Sequence, residues 1–265
     1  MGGRFPTRVI ALMPAAIALN IVLGYTVGTV LKLPIYLDSI GTILVGVLAG
    51  PLAGAATGAL TDLIWQYAPG IGGGTVGPFA ITAAVIGLLA GLWGRLGVFR
   101  PRPATGRQLA RAAVAAAAVV AVAAIPILGN PAYTDPNVGG YPGWVYAAAA
   151  AIAIVAAACI AAFTWIRRDL SGLWVAIAGI VTGVVAAIVS APIAAYVFGG
   201  VTGSGGDLIV AALRQGGSDV LSAALGQGLF SDPVDKAITC IVVFVILSGA
   251  PARLIARFPN GERLR

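Results

Sequence analysis

The side chains that could recognise a ligand in this chain are acids and aromatics near the ends of long apolar runs. Carboxylates accept hydrogen bonds from ring nitrogens, amines or ribose hydroxyls, and an aromatic side chain stacks on a flat ring. The pattern therefore predicts a pocket for a small, flat, polar heterocycle. The candidate substrate-binding residues are Tyr36, Asp38, Trp65, Gln66, Phe79, Thr202, Ser204, Asp207 and Asp232.

These residues also have interpretations that involve no ligand. Tyr and Trp side chains at helix ends anchor helices at membrane interfaces, and Asp38 could cap the helix that follows it. Asp232 stands four residues before Lys236 at the start of the last predicted helix, where a cap and an ion pair are alternatives to ligand contact. Arg214 and Asp219 could pair with each other or with a charged substrate.

Several kinds of chemistry are excluded by what the sequence lacks. It contains no histidine, which excludes histidine-based acid–base catalysis and imidazole metal ligands. It also has no G-x-x-x-x-G-K-[ST] phosphate loop, no paired carboxylate motif and no nucleophile elbow. Cys159 and Cys240 each lie in an apolar run, which favours small buried fillers over a disulfide or a zinc site. We therefore expect no enzyme activity, no cofactor and no metal site.

The composition predicts an all-helical polytopic membrane protein. Hydrophobic residues make up 59% of the 265 residues and charged residues 9%, and several apolar runs are long enough to cross about 30 Å of hydrocarbon. The formal charge of +7 comes mainly from arginines between apolar runs, where positive charge orients helices, so a nucleic-acid partner is not expected. The arginine clusters place both termini in the cytoplasm.

Residues 33–65 predict two short membrane helices that pack closely together. Four glycines repeat every four residues and remove side-chain bulk from one helix face. Pro51 lacks an N–H and restricts the residue before it, so a turn is expected there. Asp38 and Asp62 would each cost roughly 2.5–3.5 kcal/mol at the bilayer centre, so we expect them to face a cavity, a partner or an interface. The repeating glycines are Gly46, Gly50, Gly54 and Gly58.

The whole chain is predicted to be a single membrane domain with about eight spans. Residues 8–98 hold the first four core helices, residues 109–166 an alanine-rich helical pair, and residues 173–252 the last two core helices. The segment 207–230 carries polar residues on one helical stripe but is interrupted by two glycines at 216–217. That pattern predicts an amphipathic surface or re-entrant segment. The predicted spans are about 8–31, the two halves of 33–65, 76–97, 109–128, 144–166, 173–199 and 234–252.

The order of several sequence blocks resembles the substrate-binding S component of energy-coupling factor (ECF) type ABC importers, which take up vitamins and related micronutrients. The family usually has six membrane helices, so the resemblance implies a six-helix core with residues 109–166 as an inserted pair. The similar blocks are Ala11-x-x-x-Ala15, the loop with Pro34, Tyr36 and Asp38, the hairpin around Gly50 to Gly54, GPFA at 77–80, SAPIAAYVFGGVTGSG at 190–205 and DPVDKAITCIVVFVIL at 232–247.

The resemblance implies a division of labour between subunits. An S component captures its substrate from outside, in a pocket capped by the loop after the first helix and the loop between the last two core helices. It then topples in the membrane on a transmembrane coupling subunit driven by two ATPase subunits. Ala11, Ala15 and Ala18 would form the smooth coupling face, and the implied location is the plasma membrane of a prokaryote.

Two other functions remain alternatives. A self-sufficient secondary carrier would use ionisable residues near the middle of the membrane and often an internal repeat. A membrane ligand sensor would share the pocket but not the coupling face. The acid-lined entrance disfavours a polyanion, so we prefer a neutral or cationic heterocycle. Thiamine-like, pyridoxine-like, nucleoside-like and flavin-like ligands all fit that description.

Overall fold

The computed structural model describes residues 5–31, 33, 35–68, 71, 75–103, 105–108, 110 and 170–264, and these residues form helices and loops with no strand. A π-helical stretch, Tyr25–Val30, continues the first helix, and short 3₁₀ helices lie at Gly77–Phe79 and Gly261–Leu264. The described α-helices are α1 (Thr7–Gly24), α2 (Ile40–Ala49), α3 (Pro51–Gln66), α4 (Ala80–Arg95), α5 (Ser171–Phe198), α6 (Asp207–Gln215), α7 (Val220–Gly249) and α8 (Ala252–Ile255).

Three helical segments among the described residues are long and apolar enough to cross a membrane: Thr7–Val30, Gly77–Arg95 and Ser171–Phe198. They match the spans expected near 8–31, 76–97 and 173–199, so the all-helical class is confirmed. The total of eight spans and the cytoplasmic termini remain predictions. The expected pair 109–166 lies outside the described residues apart from residue 110, as do Pro34 and Cys159.

The turn between α2 and α3 forms where the sequence predicts it. Gly50 has φ +103°, a conformation that glycine adopts without strain, and Pro51 opens α3 at its first position. α2 has ten residues, or about 15 Å of helix. That is roughly half the hydrocarbon thickness, so α2 alone is too short to cross the membrane.

The glycine face of this hairpin packs mainly on α4. A side chain at Gly54 would overlap the carbonyl of Gly87 in α4, and one at Gly46 would lie 2.9 Å from the same carbonyl oxygen. Gly54 also faces Gly46, so the two hairpin helices touch each other as the sequence predicts. The spacing of glycines indicates close packing, but it does not reveal that a third helix shares the same face.

The expected start of the last helix near residue 234 is wrong. The interruption at the two glycines is confirmed, since α6 ends at Gln215 and Gly217 has φ +94°. However, α7 begins at Val220 and continues without a break through Pro233. Most of the expected segment 207–230 is therefore α6 and the first turns of α7. The carboxylate of Asp219 caps α7 by accepting hydrogen bonds from two backbone N–H groups, at 3.1 and 3.3 Å.

α5 and α7 pack closely along the stretch of α7 that carries its charged residues. Gly179 and Gly183 of α5 leave room for the α7 backbone, because a side chain at either position would overlap the backbone at Lys236 or at Asp232. Cys240 lies one turn further along α7 and is buried in the hydrophobic core, as a small filler would be. These contacts fix the height of Asp232 and Lys236 relative to the other helices.

Candidate functional site

A cavity of about 320 Å³ lies among α1 to α7 and the two loops before α2 and α6. Ligand pockets occupy roughly 300–1,000 Å³, so this cavity is large enough for a small heterocycle. Eight of the nine predicted substrate-binding residues line it: Tyr36, Asp38, Trp65, Phe79, Thr202, Ser204, Asp207 and Asp232. Their contact with a substrate remains a prediction.

Gln66 is the predicted residue that does not line the cavity. Its side-chain oxygen accepts a hydrogen bond from the backbone N–H of Gly77 at 2.7 Å. Trp65, the preceding residue in α3, points the other way and forms part of the cavity wall. Successive residues of a helix are about 100° apart, and this rotation carries Gln66 past the edge of the cavity.

Lys236 links α7 to the loop before α2. Its ammonium group donates to Asp235 Oδ2 at 2.5 Å, to Ser39 Oγ at 2.6 Å and to Asp38 Oδ1 at 3.2 Å. Asp235 is fully buried and Lys236 is 4% exposed. The expected pair between Asp232 and Lys236 is therefore wrong: Lys236 pairs with the neighbouring Asp235 and with Asp38, which is distant in the chain.

Asp235 holds the same loop through its other oxygen. Asp235 Oδ1 accepts hydrogen bonds from the backbone N–H groups of Tyr36 at 3.2 Å and Leu37 at 2.8 Å. Leu37 has φ +53°, which is unfavourable for a residue with a side chain. The buried carboxylate thus stabilises a strained backbone that presents Tyr36 and Asp38 to the cavity. Asp38 bonds Lys236 and the Ser39 hydroxyl, and the alternative that it caps α2 is wrong, because α2 has no side-chain cap.

The aromatic walls are held by close contacts with glycines. Trp65 is 5% exposed, and its ring packs so closely on α1 that a Cβ at Gly24 would lie 2.7 Å from it. The Trp65 indole N–H donates to the carbonyl of Ile71 at 3.1 Å. The Tyr36 ring lies beside Gly28, where an added Cβ would be 3.3 Å away. Both rings are therefore fixed before any ligand enters.

The second loop, between α5 and α6, closes the cavity from another side. Asp207 accepts hydrogen bonds from the Thr202 backbone N–H at 2.9 Å, the Thr202 hydroxyl at 2.9 Å and the Gly203 N–H at 2.7 Å. Ser204 shares a hydrogen bond of 3.1 Å with the Tyr36 hydroxyl. The two loops thus meet at Tyr36 and Ser204, over the cavity.

Phe79 joins the start of α4 to the end of α5. Its ring stacks on Phe198 with the centroids 5.6 Å apart and the planes at 11°. Phe198 is the last residue of α5, directly before the second loop. This contact positions one edge of the cavity where that loop begins.

Asp62, Thr82 and Lys236 are among the cavity-lining residues that lie outside the nine predicted positions. Asp62 lies three residues before Trp65 and Thr82 three residues after Phe79, so one turn of helical periodicity from a predicted residue would have found both. Asp62 was expected to face a cavity or a partner because of its cost in lipid, and it does face the cavity. For Lys236 the sequence predicts an ion pair with Asp232, with ligand contact at this part of the helix as the alternative.

The cavity is acidic overall. Asp38, Asp62, Asp207 and Asp232 line it with Lys236 as the cation among the described lining residues. Burial raises the pKa of the Tyr36 phenol above its ordinary value, and the nearby carboxylates of Asp232, Asp38 and Asp207 add to the increase. The phenol therefore stays neutral and can donate or accept a hydrogen bond. Among the described residues no group of three His, Cys, Asp or Glu side chains could hold a metal ion.

The three alanines of the predicted coupling face, Ala11, Ala15 and Ala18, are all exposed on α1. Their spacing of four and three residues places them on one stripe. Neighbouring Met13, Ala16 and Ile17 are buried, so α1 uses its opposite side to pack on the protein. No described residue buries the stripe, as contact with a lipid or a partner helix requires.

No protein-family model, curated protein or solved structure matches this chain. The side chains around the cavity and the exposed stripe on α1 are therefore the basis for assigning a function.

Proposed function

We propose that the chain is the membrane substrate-binding subunit, or S component, of an ECF-type importer. It captures a small water-soluble vitamin, precursor or nucleoside-like heterocycle from outside, in the 320 Å³ cavity. It then delivers the substrate by toppling on a transmembrane coupling subunit that two ATPase subunits drive. The location that follows is the plasma membrane of a prokaryote.

The observation that carries the proposal is the closure of the cavity by two loops that the resemblance names. The loop after α1 contributes Tyr36 and Asp38, and the loop between α5 and α6 contributes Thr202 and Ser204. The two loops contact each other through the Tyr36 and Ser204 hydroxyls. Opening of that contact would give a ligand an entrance between the two loops, and the proposal requires that this entrance face the outside.

The interior of the cavity suits a flat polar ligand. Trp65, Tyr36 and Phe79 supply ring faces, and the carboxylates and hydroxyls supply polar contacts at the edges. A mostly apolar pocket with a few placed polar groups is the usual form of a small-molecule site. The sequence contains no nucleotide-binding phosphate loop, so energy for uptake would come from partner subunits.

The test separates binding from coupling. The detergent-purified chain is first screened by thermal shift against vitamins, precursors, nucleobases and nucleosides, since a ligand at a hundred times its Kd stabilises the native state by about 2.7 kcal/mol. The double variant A11W/A15W should then bind the ligand with unchanged affinity but fail to support uptake in cells that supply the coupling and ATPase subunits. Uptake falls because two indoles would prevent a partner helix from lying close to α1.

Ile188→Trp is the matched control. Ile188 is 56% exposed on α5, so the same bulk is added to a surface away from the alanine stripe. Uptake by I188W should equal that of the parent. Uptake that survives A11W/A15W would indicate a self-sufficient carrier, and a ligand that binds but is never taken up would indicate a sensor; either result contradicts the proposal.

A further inference from the structure

Two acidic side chains in the cavity form no ion pair with any described residue. Lys236 pairs with Asp38 and Asp235. Asp207 is satisfied by three donors of its own loop, as described above. That leaves Asp62 and Asp232 as acids that line the cavity and form no ion pair with a described residue. The charge of Lys236 acts on both from a distance, but Asp38 and Asp235 already oppose it.

Asp62 is the more telling of the two. It is 8% exposed, and no described residue donates a hydrogen bond or forms an ion pair with its carboxylate. Asp232 is equally buried, and its contact is a long hydrogen bond of 3.4 Å from the Ser231 hydroxyl. A buried carboxylate without a partner is strongly unfavourable. Such an acid is stabilised either by taking up a proton or by a partner that the described residues do not supply, and a bound ligand is one such partner.

A third polar group in the cavity also lacks a partner. The Thr82 hydroxyl is fully buried and makes no hydrogen bond with any described residue. Thr82 lies one helical turn from Phe79 and lines the cavity with it. Its oxygen has no surface open to the cavity, so Thr82 marks an unsatisfied position in this wall and does not define an edge of the ligand.

The charge that would complete this site is positive. Asp62 lies one turn from Trp65 on α3, and both side chains line the cavity. A carboxylate beside an indole ring suits a charged nitrogen within a ring system, because the carboxylate attracts the charge and the ring face attracts a cation. With a neutral ligand both acids would have to stay protonated, because burial disfavours the charged carboxylate. A cation would let them ionise and pair with it, and an anion would add to the repulsion.

We infer that the substrate is cationic: a heterocycle whose positively charged nitrogen lies beside Asp62, with Asp232 adding to the negative charge of the cavity wall. This inference rests on the proposed function, since it names the substrate class of the same cavity. The predicted substrate class is thereby narrowed from a neutral or cationic heterocycle to a cationic one.

The experiment compares compounds that differ by a charged nitrogen. The purified full-length chain is tested by thermal shift and by equilibrium binding with 1-methylnicotinamide against nicotinamide, 1-methyladenosine against adenosine, and pyridoxamine against pyridoxine, with thiamine as a further fixed cation. At least one cation should bind at least about tenfold more tightly than its neutral counterpart. Thiamine has no neutral counterpart in this set, so its affinity is compared with that of every neutral compound, which it should exceed. A charge-assisted hydrogen bond in a buried site has that effect on affinity.

Variants test the residue as well as the charge. In Asp62→Asn the bound cation should lose about tenfold or more in affinity, and the difference between charged and neutral compounds should shrink. Asp219→Asn is the matched control, because it removes one charge from the exposed cap of α7, outside the cavity. It should leave both affinities unchanged.

The outcomes are distinct. Preference for a cation in the parent, lost in D62N and kept in D219N, supports the inference. A neutral compound that binds the parent as tightly as any cation overturns the inference and leaves the proposed function standing, and this comparison needs no variant to fold. Binding of a cation that D62N does not weaken also overturns it. Absence of binding by every compound in this set and in the wider screen overturns the proposed function together with the inference.

Discussion

Replacing Lys236 by Met should strongly destabilise the protein. The loss of stability should exceed that of any substitution in the cavity wall that leaves Lys236, Asp235 and Asp38 paired. The ammonium group of Lys236 makes three hydrogen bonds, to Asp235, Ser39 and Asp38. Methionine has a similar length and no charge, so the change removes the cation without leaving a large void. Asp235 would then be a fully buried carboxylate with no positive partner among the described residues.

The size of the effect follows from the burial of the two groups. Breaking a buried ion pair by removing one partner costs about 3–5 kcal/mol, because the other charge remains buried and unpaired. Asp38 is 30% exposed, so its weaker contact at 3.2 Å is screened by solvent and adds little. For a chain of this size 1 kcal/mol corresponds to about 2–4 °C in Tm, so K236M should melt roughly 6–20 °C below the parent.

The double variant K236M/D235N is the control for this reasoning. The asparagine that replaces Asp235 would carry no charge and would keep an oxygen able to accept the N–H groups of Tyr36 and Leu37, which Asp235 Oδ1 now accepts. Since replacing both members of a buried pair is far less costly than replacing one, the double variant should regain at least half of the lost Tm. The assay is thermal unfolding in detergent, followed by intrinsic tryptophan fluorescence. A K236M protein that melts within about 2 °C of the parent would refute the reasoning, as would a double variant less stable than K236M.

Two further predictions concern helix packing and the loop contact. Gly54→Ala should lower stability by roughly 1–3 kcal/mol, because its Cβ would overlap the carbonyl of Gly87. Gly249→Ala is the control and should not lower stability in this way, since a Cβ there would have nothing within 4 Å. A G54A melting temperature equal to that of G249A would contradict close packing of α3 on α4. Tyr36→Phe should cost about 1 kcal/mol at pH 7 through loss of the hydrogen bond to Ser204. Because the pKa of Tyr36 is raised in the folded protein, the phenol ionises first in the unfolded chain, and the stability of the parent falls as pH rises above about 10. The difference in Tm between parent and Y36F should therefore narrow in a melting series from pH 8 to 11. A Tm difference that stays constant or widens would contradict burial of the phenol.

The helices that the sequence located well are those set by local signals. The apolar runs near 8–31, 76–97 and 173–199 coincide with described helices to within a few residues, because a long apolar run admits few other structures in a membrane. The turn at Gly50 and Pro51 also follows from local backbone chemistry, since proline cannot continue the preceding helix there. In these cases the residues that decide the structure are neighbours in the chain.

The start of α7 shows where local signals fail. Gly226, Gly228 and Pro233 all argue against a continuous helix, yet α7 runs through them. Gly228 is buried against Ala187 of α5, where an added Cβ would lie 3.0 Å from the alanine methyl. Close packing between α5 and α7 requires small residues on that face, so the tertiary contact outweighs the low helix propensity.

The composition and the order of apolar runs were enough to predict an all-helical chain with helices long and apolar enough to cross a membrane. The acids and aromatics at the helix ends were enough to predict eight residues of the cavity wall. These properties depend on residue type and on short spacings. Only the tertiary structure decided that Lys236 pairs with Asp38, 198 residues away, instead of Asp232 four residues before it, and that Asp62 and Thr82 are left without partners among the described residues. Pairing between distant side chains depends on how the helices are rotated and stacked, and glycine contacts such as that between Gly54 and Gly87 set this arrangement. No local spacing in the sequence contains that information.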